Sequence, residues 1–182
     1  MTAKFFFKFL VFCFIITAVG CENSLREIQK ISLSEFSPSG DADNFVLKYT
    51  DSGKIKAILV SPKMLDFATV QFPFTEFPQG ILVTLYDEKN KKSYIKADFA
   101  TSFKGTDLID LRGNVKLSNE LGQHLTTEQL YFDQKNAWFY TEKPFVMVDE
   151  KAGTTSGQGI DFSKDFKIIN YQNVTGAINQ NN

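Results

Sequence analysis

Residues 108 to 133 read Leu108-Ile109-Asp110-Leu111-Arg112-Gly113-Asn114-Val115-Lys116-Leu117-Ser118-Asn119-Glu120-Leu121-Gly122-Gln123-His124-Leu125-Thr126-Thr127-Glu128-Gln129-Leu130-Tyr131-Phe132-Asp133. Ile109 with Leu111, Val115 with Leu117, and Leu130 with Phe132 are apolar pairs two residues apart. Successive side chains of a strand point to opposite faces, so this spacing describes strands with one face buried. A helix would need apolar residues at intervals of three and four. Asn119-Glu120-Leu121-Gly122 is a polar turn between two such runs, and the whole stretch reads as an antiparallel hairpin.

The same alternation spreads outward in both directions. Phe45-Leu47-Tyr49, Ile55-Ala57-Leu59, Ile81-Val83-Leu85 and Ile95-Ala97-Phe99 each place alternate apolar residues on one side. After Asp43 no apolar stripe has the length and period of a helix. The strands also recur at a step of about thirty residues: Val83 and Leu85, then Val115 and Leu117, then Val146 and Val148. Phe99, Leu130 and Ile160 follow the same step, as do Phe132 and Phe162. Polar turns at Asp87-Glu88-Lys89-Asn90 and Asp149-Glu150-Lys151-Ala152-Gly153 complete the repeat. Units of this size cannot bury their own apolar face and must stack. The expectation is an all-β domain of antiparallel sheets over residues 44–182, its interior rich in the phenylalanines that suit strands. Phe45 to Leu65 forms a first, divergent unit, set apart by Phe72-Pro73-Phe74-Thr75-Glu76-Phe77-Pro78-Gln79-Gly80. That insertion reads either as an exposed peptide-docking site or as a turn whose rings plug the end of a sandwich.

The amino terminus, Met1-Thr2-Ala3-Lys4-Phe5-Phe6-Phe7-Lys8, runs into an apolar stretch from Phe9 to Val19 and then Ala18-Val19-Gly20-Cys21. This is the order of a bacterial lipoprotein signal: charge, apolar run, small residues, cysteine. Residues 1–20 are read as signal peptide, Cys21 as the lipid attachment site, and 21–43 as a tether in which Leu25, Ile28 and Ile31 could form a short helical face. The alternative is an uncleaved transmembrane anchor, but a span needs about 20 apolar residues, and Lys8 and Glu22 bracket a shorter run. Stable tethering needs more than one acyl chain, which a mature lipoprotein supplies. With Cys13 in the signal and Cys21 acylated, no disulfide is available to the domain, which must rely on its core.

Composition and motifs exclude several function classes. The chain has 20 basic and 21 acidic side chains, and two of the lysines but no acid fall in the leader. The remainder is net acidic, which argues against a nucleic-acid partner. His124 is the single histidine and sits in a predicted turn, so neither a histidine-rich metal site nor a Ser-His-Asp triad is expected. No catalytic residue, metal site or cofactor is assigned, and no glycine-rich loop leads into a helix to hold a nucleotide. Asn173-Val174-Thr175 matches a glycosylation pattern that matters mainly in a eukaryotic secretory pathway.

From Asn44 to Ile178 the chain resembles LptC, the periplasmic component of the lipopolysaccharide export machine, and looks closest to lipoprotein-like members from Bacteroidetes. The resemblance is carried by Leu47-Lys48-Tyr49-Thr50-Asp51-Ser52-Gly53, the Phe72 to Gly80 segment, Leu108 to Val115, Leu125 to Asp133, and Asn173-Val174-Thr175-Gly176. It implies a β-jellyroll, two antiparallel sheets folded into an apolar slot. It implies a non-enzymatic task at the periplasmic face of the inner membrane in outer-membrane biogenesis. Lipopolysaccharide would be received from the ABC transporter of LptB, LptF and LptG and passed to an LptA-like bridge. Better-known members carry a transmembrane helix where this chain has Cys21, which puts regulation through that helix in doubt.

An acyl-chain carrier needs apolar shielding, worth about 0.8 kcal/mol per buried methylene, yet must release its cargo. An open slot does both. The inward set expected to line it is Leu47, Ile55, Leu59, Val83, Leu85, Ile95, Phe99, Val115, Leu117, Leu130, Phe132, Val146, Val148 and Ile160, with Lys135 as an exposed reference. The last strand, with Tyr171, Val174 and Ile178, is expected to offer an unpaired edge to a partner jellyroll. The competing functions are a structural adaptor that joins transporter and bridge without touching lipid, and a carbohydrate-binding sandwich.

Overall fold

A computed structural model describes residues 37–175 of the 182-residue chain. The signal sequence, Cys21, the short helical face of the tether and Ile178 lie outside the described residues. Those described form eleven strands. β1 (Gly40–Asp51) and β2 (Lys54–Phe67) make a long hairpin, followed by β3 (Phe74–Phe77), β4 (Ile81–Tyr86), β5 (Lys92–Ala97) and β6 (Phe99–Phe103). Then come β7 (Leu108–Asn119), β8 (Gln123–Asp133), β9 (Trp138–Asp149), β10 (Gly153–Ser163) and β11 (Ile169–Val174). β1 begins at Gly40, inside the stretch read as tether.

Every pairing is antiparallel, and the pairings close on themselves. β2 pairs with β4 through Ala57–Val60 and with β3 through Leu65–Phe67. β7 pairs with β6 through Leu108–Arg112 and with β5 through Lys116–Asn119. Thus β2 and β7 each serve two half-sheets, one holding β4 and β5, the other β3 and β6. β1 continues the wall beyond β2, and β8 to β11 continue it beyond β7. The result is the jellyroll: two antiparallel walls folded over one interior.

A seam of breaks at one level makes the fold possible. The β3–β4 link bends at Pro78-Gln79-Gly80, and Asp98 interrupts β5 and β6 while its N–H donates to Gly113 O. β7 slips register between Arg112 and Val115, β8 between Thr127 and Tyr131, and β10 between Gln158 and Ile160. Gly113, Asn114 and Gly159 take left-handed backbone there, the conformation that such bulges require. A bulge orphans backbone groups, and buried hydroxyls reclaim them. Ser61 Oγ lies 2.8 Å from both Lys63 O and Gly80 O; Thr127 Oγ1 donates to Pro144 O, and Thr141 Oγ1 accepts from Lys143 N. No buried side-chain polar atom among the described residues lacks a partner.

The three polar turns read from sequence connect β4 to β5, β7 to β8 and β9 to β10. In each the leading Asp or Asn folds the turn by accepting backbone N–H groups on its side chain: Asp87 from Lys89 and Lys91, Asn119 from Leu121 and Gln123, Asp149 from Lys151 and Ala152. The Phe72–Gly80 insertion is neither a free peptide site nor a turn. Its centre is strand β3, which bridges β2 and β6 and closes the ring. Phe77 is buried against the core and Phe74 stacks on Phe67 with centroids 4.6 Å apart, while Phe72 is exposed. His124 stands exposed in β8 rather than in a turn.

Candidate functional site

Cross-strand register shows which side chains share the interior. One stripe crosses the first wall through Leu47, Leu59, Val83, Ile95, Leu117, Leu125 and Met147, each opposite the next. A second crosses the other wall through Phe77, Ala100, Leu111 and Leu130. Ile109, Phe132, Phe139 and Phe162 follow in parallel, and Phe132 stacks on Phe139 at 4.4 Å. These stripes face one another, but only part of the interior is filled.

Toward β8–β10 the space is occupied. Val115, Leu117, Leu125, Leu130, Phe139, Ile160 and Phe162 are essentially inaccessible, and Phe139, Phe162 and Phe166 continue the stack from Phe132. Toward β1–β4 it is open. A cavity of about 680 Å3 is lined by Phe45, Leu47, Tyr49, Leu59, Met64, Phe77, Val83, Leu85, Ile95, Ile109, Leu111 and Phe132. Leu47 is about half exposed because β1, an edge strand, has no neighbour beyond it among the described residues. The aromatic stack ends the cavity at Phe132.

The sequence-derived inward set therefore divides. Leu47, Leu59, Val83, Leu85, Ile95 and Phe132 line the cavity. Val115, Leu117, Leu130 and Ile160 face inward but belong to the filled core. Four residues stand elsewhere. Phe99 lies opposite Arg112 on the outer face, because the inward parity changes at Asp98 from Ile95 and Ala97 to Ala100. Val146 is exposed and Val148 half-buried on the outer face, while Phe145 and Met147 take the core positions. Ile55 is exposed at the β1–β2 tip, past a bulge that leaves Lys56 unpaired between Ile55 and Ala57. Lys135, expected to be an exposed reference, is exposed but stands at the cavity mouth.

The structure adds features that alternation does not reveal. The cavity rim is polar and carries Lys56, Lys104, Lys135 and Lys164 with Asp66 and Asp107. Lys104 Nζ lies 2.6 Å from Asp66 Oδ1, and this hydrogen bond holds the Asp66 carboxyl below the usual carboxylate range. Burial, and then the charge of Lys56, holds the Lys164 ammonium below the usual lysine range. On the outer face a second network surrounds Asp110, which is buried although it points away from the core. Arg112 Nε donates to it at 2.7 Å and Gln129 Nε2 at 2.9 Å, and Gln129 also reaches Tyr131 Oη. That network clamps the β7 bulge to β8. Among the described residues no group of three or more histidine, cysteine or acidic side chains is placed to hold a metal.

Both margins of the folded sheet are unpaired among the described residues: β1 pairs only β2, and β11 only β10. On β11, Tyr171 stacks against Phe145 at 5.8 Å and Val174 is exposed. Thr175 N–H donates to Ser156 O; alternation along a strand then aims the Val174 N–H away from β10, into the open edge.

Residues 10–179 match the family model described as LptC: Lipopolysaccharide-assembly, LptC-related. Comparison with curated proteins finds no match.

Proposed function

The chain belongs to the LptC family of lipopolysaccharide-assembly proteins, and from that premise we propose that it carries lipopolysaccharide transiently in its slot. It would receive the lipid from the inner-membrane ABC transporter of LptB, LptF and LptG and relay it to an LptA-like bridge. The observation that carries the reading is the apolar cavity open along β1, beside a core that is fully packed. A sheet interior built only for stability would be close-packed throughout. Here the inward side chains of β1, β2 and β4 leave room, and acyl chains are the ligand whose chemistry suits it. The free margin of β11 supports docking of the bridge by strand addition, and that of β1 supports a second jellyroll on the transporter side. A lipid at Cys21 would hold the domain at the periplasmic face of the inner membrane.

The test places a photo-crosslinking amino acid at Leu59, Val83 or Phe132, with Val146 on the outer face as reference, in the full-length protein in intact cells. Lipopolysaccharide adducts at the three inward sites and none at Val146 are expected. Adducts at none of them, with the protein folded and its partners bound, would leave only the role of an adaptor. For docking, Val174→Pro removes an N–H that the β10–β11 ladder does not use. It should abolish co-purification with the bridge while leaving the circular dichroism unchanged. Undiminished co-purification would rule out this edge.

A further inference from the structure

We propose that Lys56, Lys135 and Lys164 form a subsite at the slot mouth for the phosphate-bearing headgroup of the amphiphile whose chains occupy the cavity. The inference rests on the carrier reading and gives it a chemical specificity. One lip of the slot is a ladder of three turns, β6–β7, β8–β9 and β10–β11. Lys104 N–H donates to Pro73 O, Gln134 N–H to Asp107 O and Lys164 N–H to Ala137 O, so residues thirty apart tie each turn to the one before it. This ladder presents Lys104, Lys135 and Lys164 in a row along the mouth. From the facing wall comes Lys56, left without a ladder partner at the bulge between Ile55 and Ala57. A bulge re-aims a side chain, and this one brings an ammonium to the cavity.

Acids account for only part of this rim: the charge of Lys135 acts on the neighbouring Asp133 carboxyl, but no acid among the described residues is ion-paired to three of the four lysines. Lys104 is taken by Asp66, whereas Lys56, Lys135 and Lys164 make no ion pair among the described residues. Lys164 is half-buried, and its charged neighbour is another lysine. Two like charges beside an apolar slot are costly without an anion between them. The chain as a whole carries a formal charge of −1, so the excess is local. Cations at the rim and hydrocarbon lining below are complementary to an amphiphile with its anionic group next to its chains. A phosphate can accept from several ammonium groups at once.

Full-length protein in detergent is titrated with bis-phosphorylated lipid A and with the same lipid after enzymatic dephosphorylation, each with and without millimolar inorganic phosphate. Wild type should bind the phosphorylated form about tenfold more tightly, the scale of a charge-assisted contact. The double variant Lys56→Gln/Lys164→Gln should bind both forms alike, with wild-type affinity for the dephosphorylated lipid. That retained affinity is itself the control for folding. A double variant that keeps the preference, or a wild type that has none, overturns the headgroup assignment while the carrier reading stands. Loss of the preference in inorganic phosphate alone would make this a free-anion site and overturns it too. Wild type that binds neither lipid overturns the carrier reading, and the subsite with it.

Discussion

Ser61 is the buried polar residue on which the closure of the ring turns. It is inaccessible, and its Oγ lies 2.8 Å from Lys63 O on its own strand and from Gly80 O at the β3–β4 bend. The same bend cannot accept a larger residue: Gly80 has φ of +85°, and an added Cβ would approach Ala97 O to 2.6 Å. Ser61→Ala removes the one hydroxyl proton within reach of both carbonyls, leaving the buried Gly80 O short of a donor without opening a cavity of any size. Its cost should be about 1–3 kcal/mol, the price of an unsatisfied buried group, read as a lower urea midpoint at unchanged slope. His124→Ala, on the exposed face of β8, should stay within about 0.5 kcal/mol. Equal midpoints for the two variants would mean that the seam does not need its hydroxyl.

At the scale of strands and turns, the carboxylates that fold the turns tie stability to pH. Asp133, Asp149 and Asp165 are all held below the usual carboxylate range. Backbone N–H donors, from Asn136 and Lys151 respectively, do most of it for the first two. A hydrogen bond from Lys167 brings Asp165 down to about 2. A carboxyl depressed in the folded state stabilises that state above its ordinary value near 3.8, and the contribution is lost as pH falls toward 2. These side chains are largely solvated, so screening keeps each contribution small. Asn preserves the turn but does not titrate, so Asp149→Asn/Asp165→Asn should show a shallower fall in urea midpoint between pH 5 and pH 2 than wild type. Parallel curves would refute the assignment. A second prediction concerns β11. A Cβ on Gly157 would meet Asn173 O at 2.2 Å, so Gly157→Ala should loosen β11 from β10. Amide exchange should quicken at Tyr171 and Asn173, whose N–H groups face β10, and stay slow in β7 and β8.

These elements also show what was legible in advance. Alternation located the strands and polar clusters located the turns, because both signals are local. Which face each strand turns inward is not local once a bulge intervenes. A single extra residue exchanges the faces, as at Asp98, at the Lys56 bulge and between Thr127 and Leu130. The repeat step is thirty where the core is concerned: Leu85, Val115 and Phe145 are all buried, and so are Ala100, Leu130 and Ile160. A step of thirty-one leads instead from Val115 to Val146, and from Phe99 to Leu130, which fall on opposite faces. The lysine rim was illegible for another reason. Its members come from separate turns and one bulge, and only the turn ladder brings them together.

For the molecule as a whole, the consequence is that inward residues are of two kinds that no hydropathy pattern distinguishes, and mutation should separate them. Leu130 sits where nothing is empty, so Leu130→Ala opens a cavity and should cost about 2–5 kcal/mol. The slot lies elsewhere, and the fraction that remains folded should still give lipid adducts at Val83. Val83 is half-buried over the 680 Å3 cavity. Val83→Trp places added volume in space that the fold leaves open, so it avoids the strain that overpacking produces in a filled core. Its thermal midpoint should stay close to wild type, while lipid adducts at Leu59 and Phe132 fall away and lipopolysaccharide transport stops. The two variants thus move stability and loading in opposite ways. If Val83→Trp unfolds the protein as Leu130→Ala does, the apparent slot is ordinary core. If it is stable and transports normally, the lipid travels outside the cavity, and the open half of the jellyroll has some purpose other than shielding acyl chains.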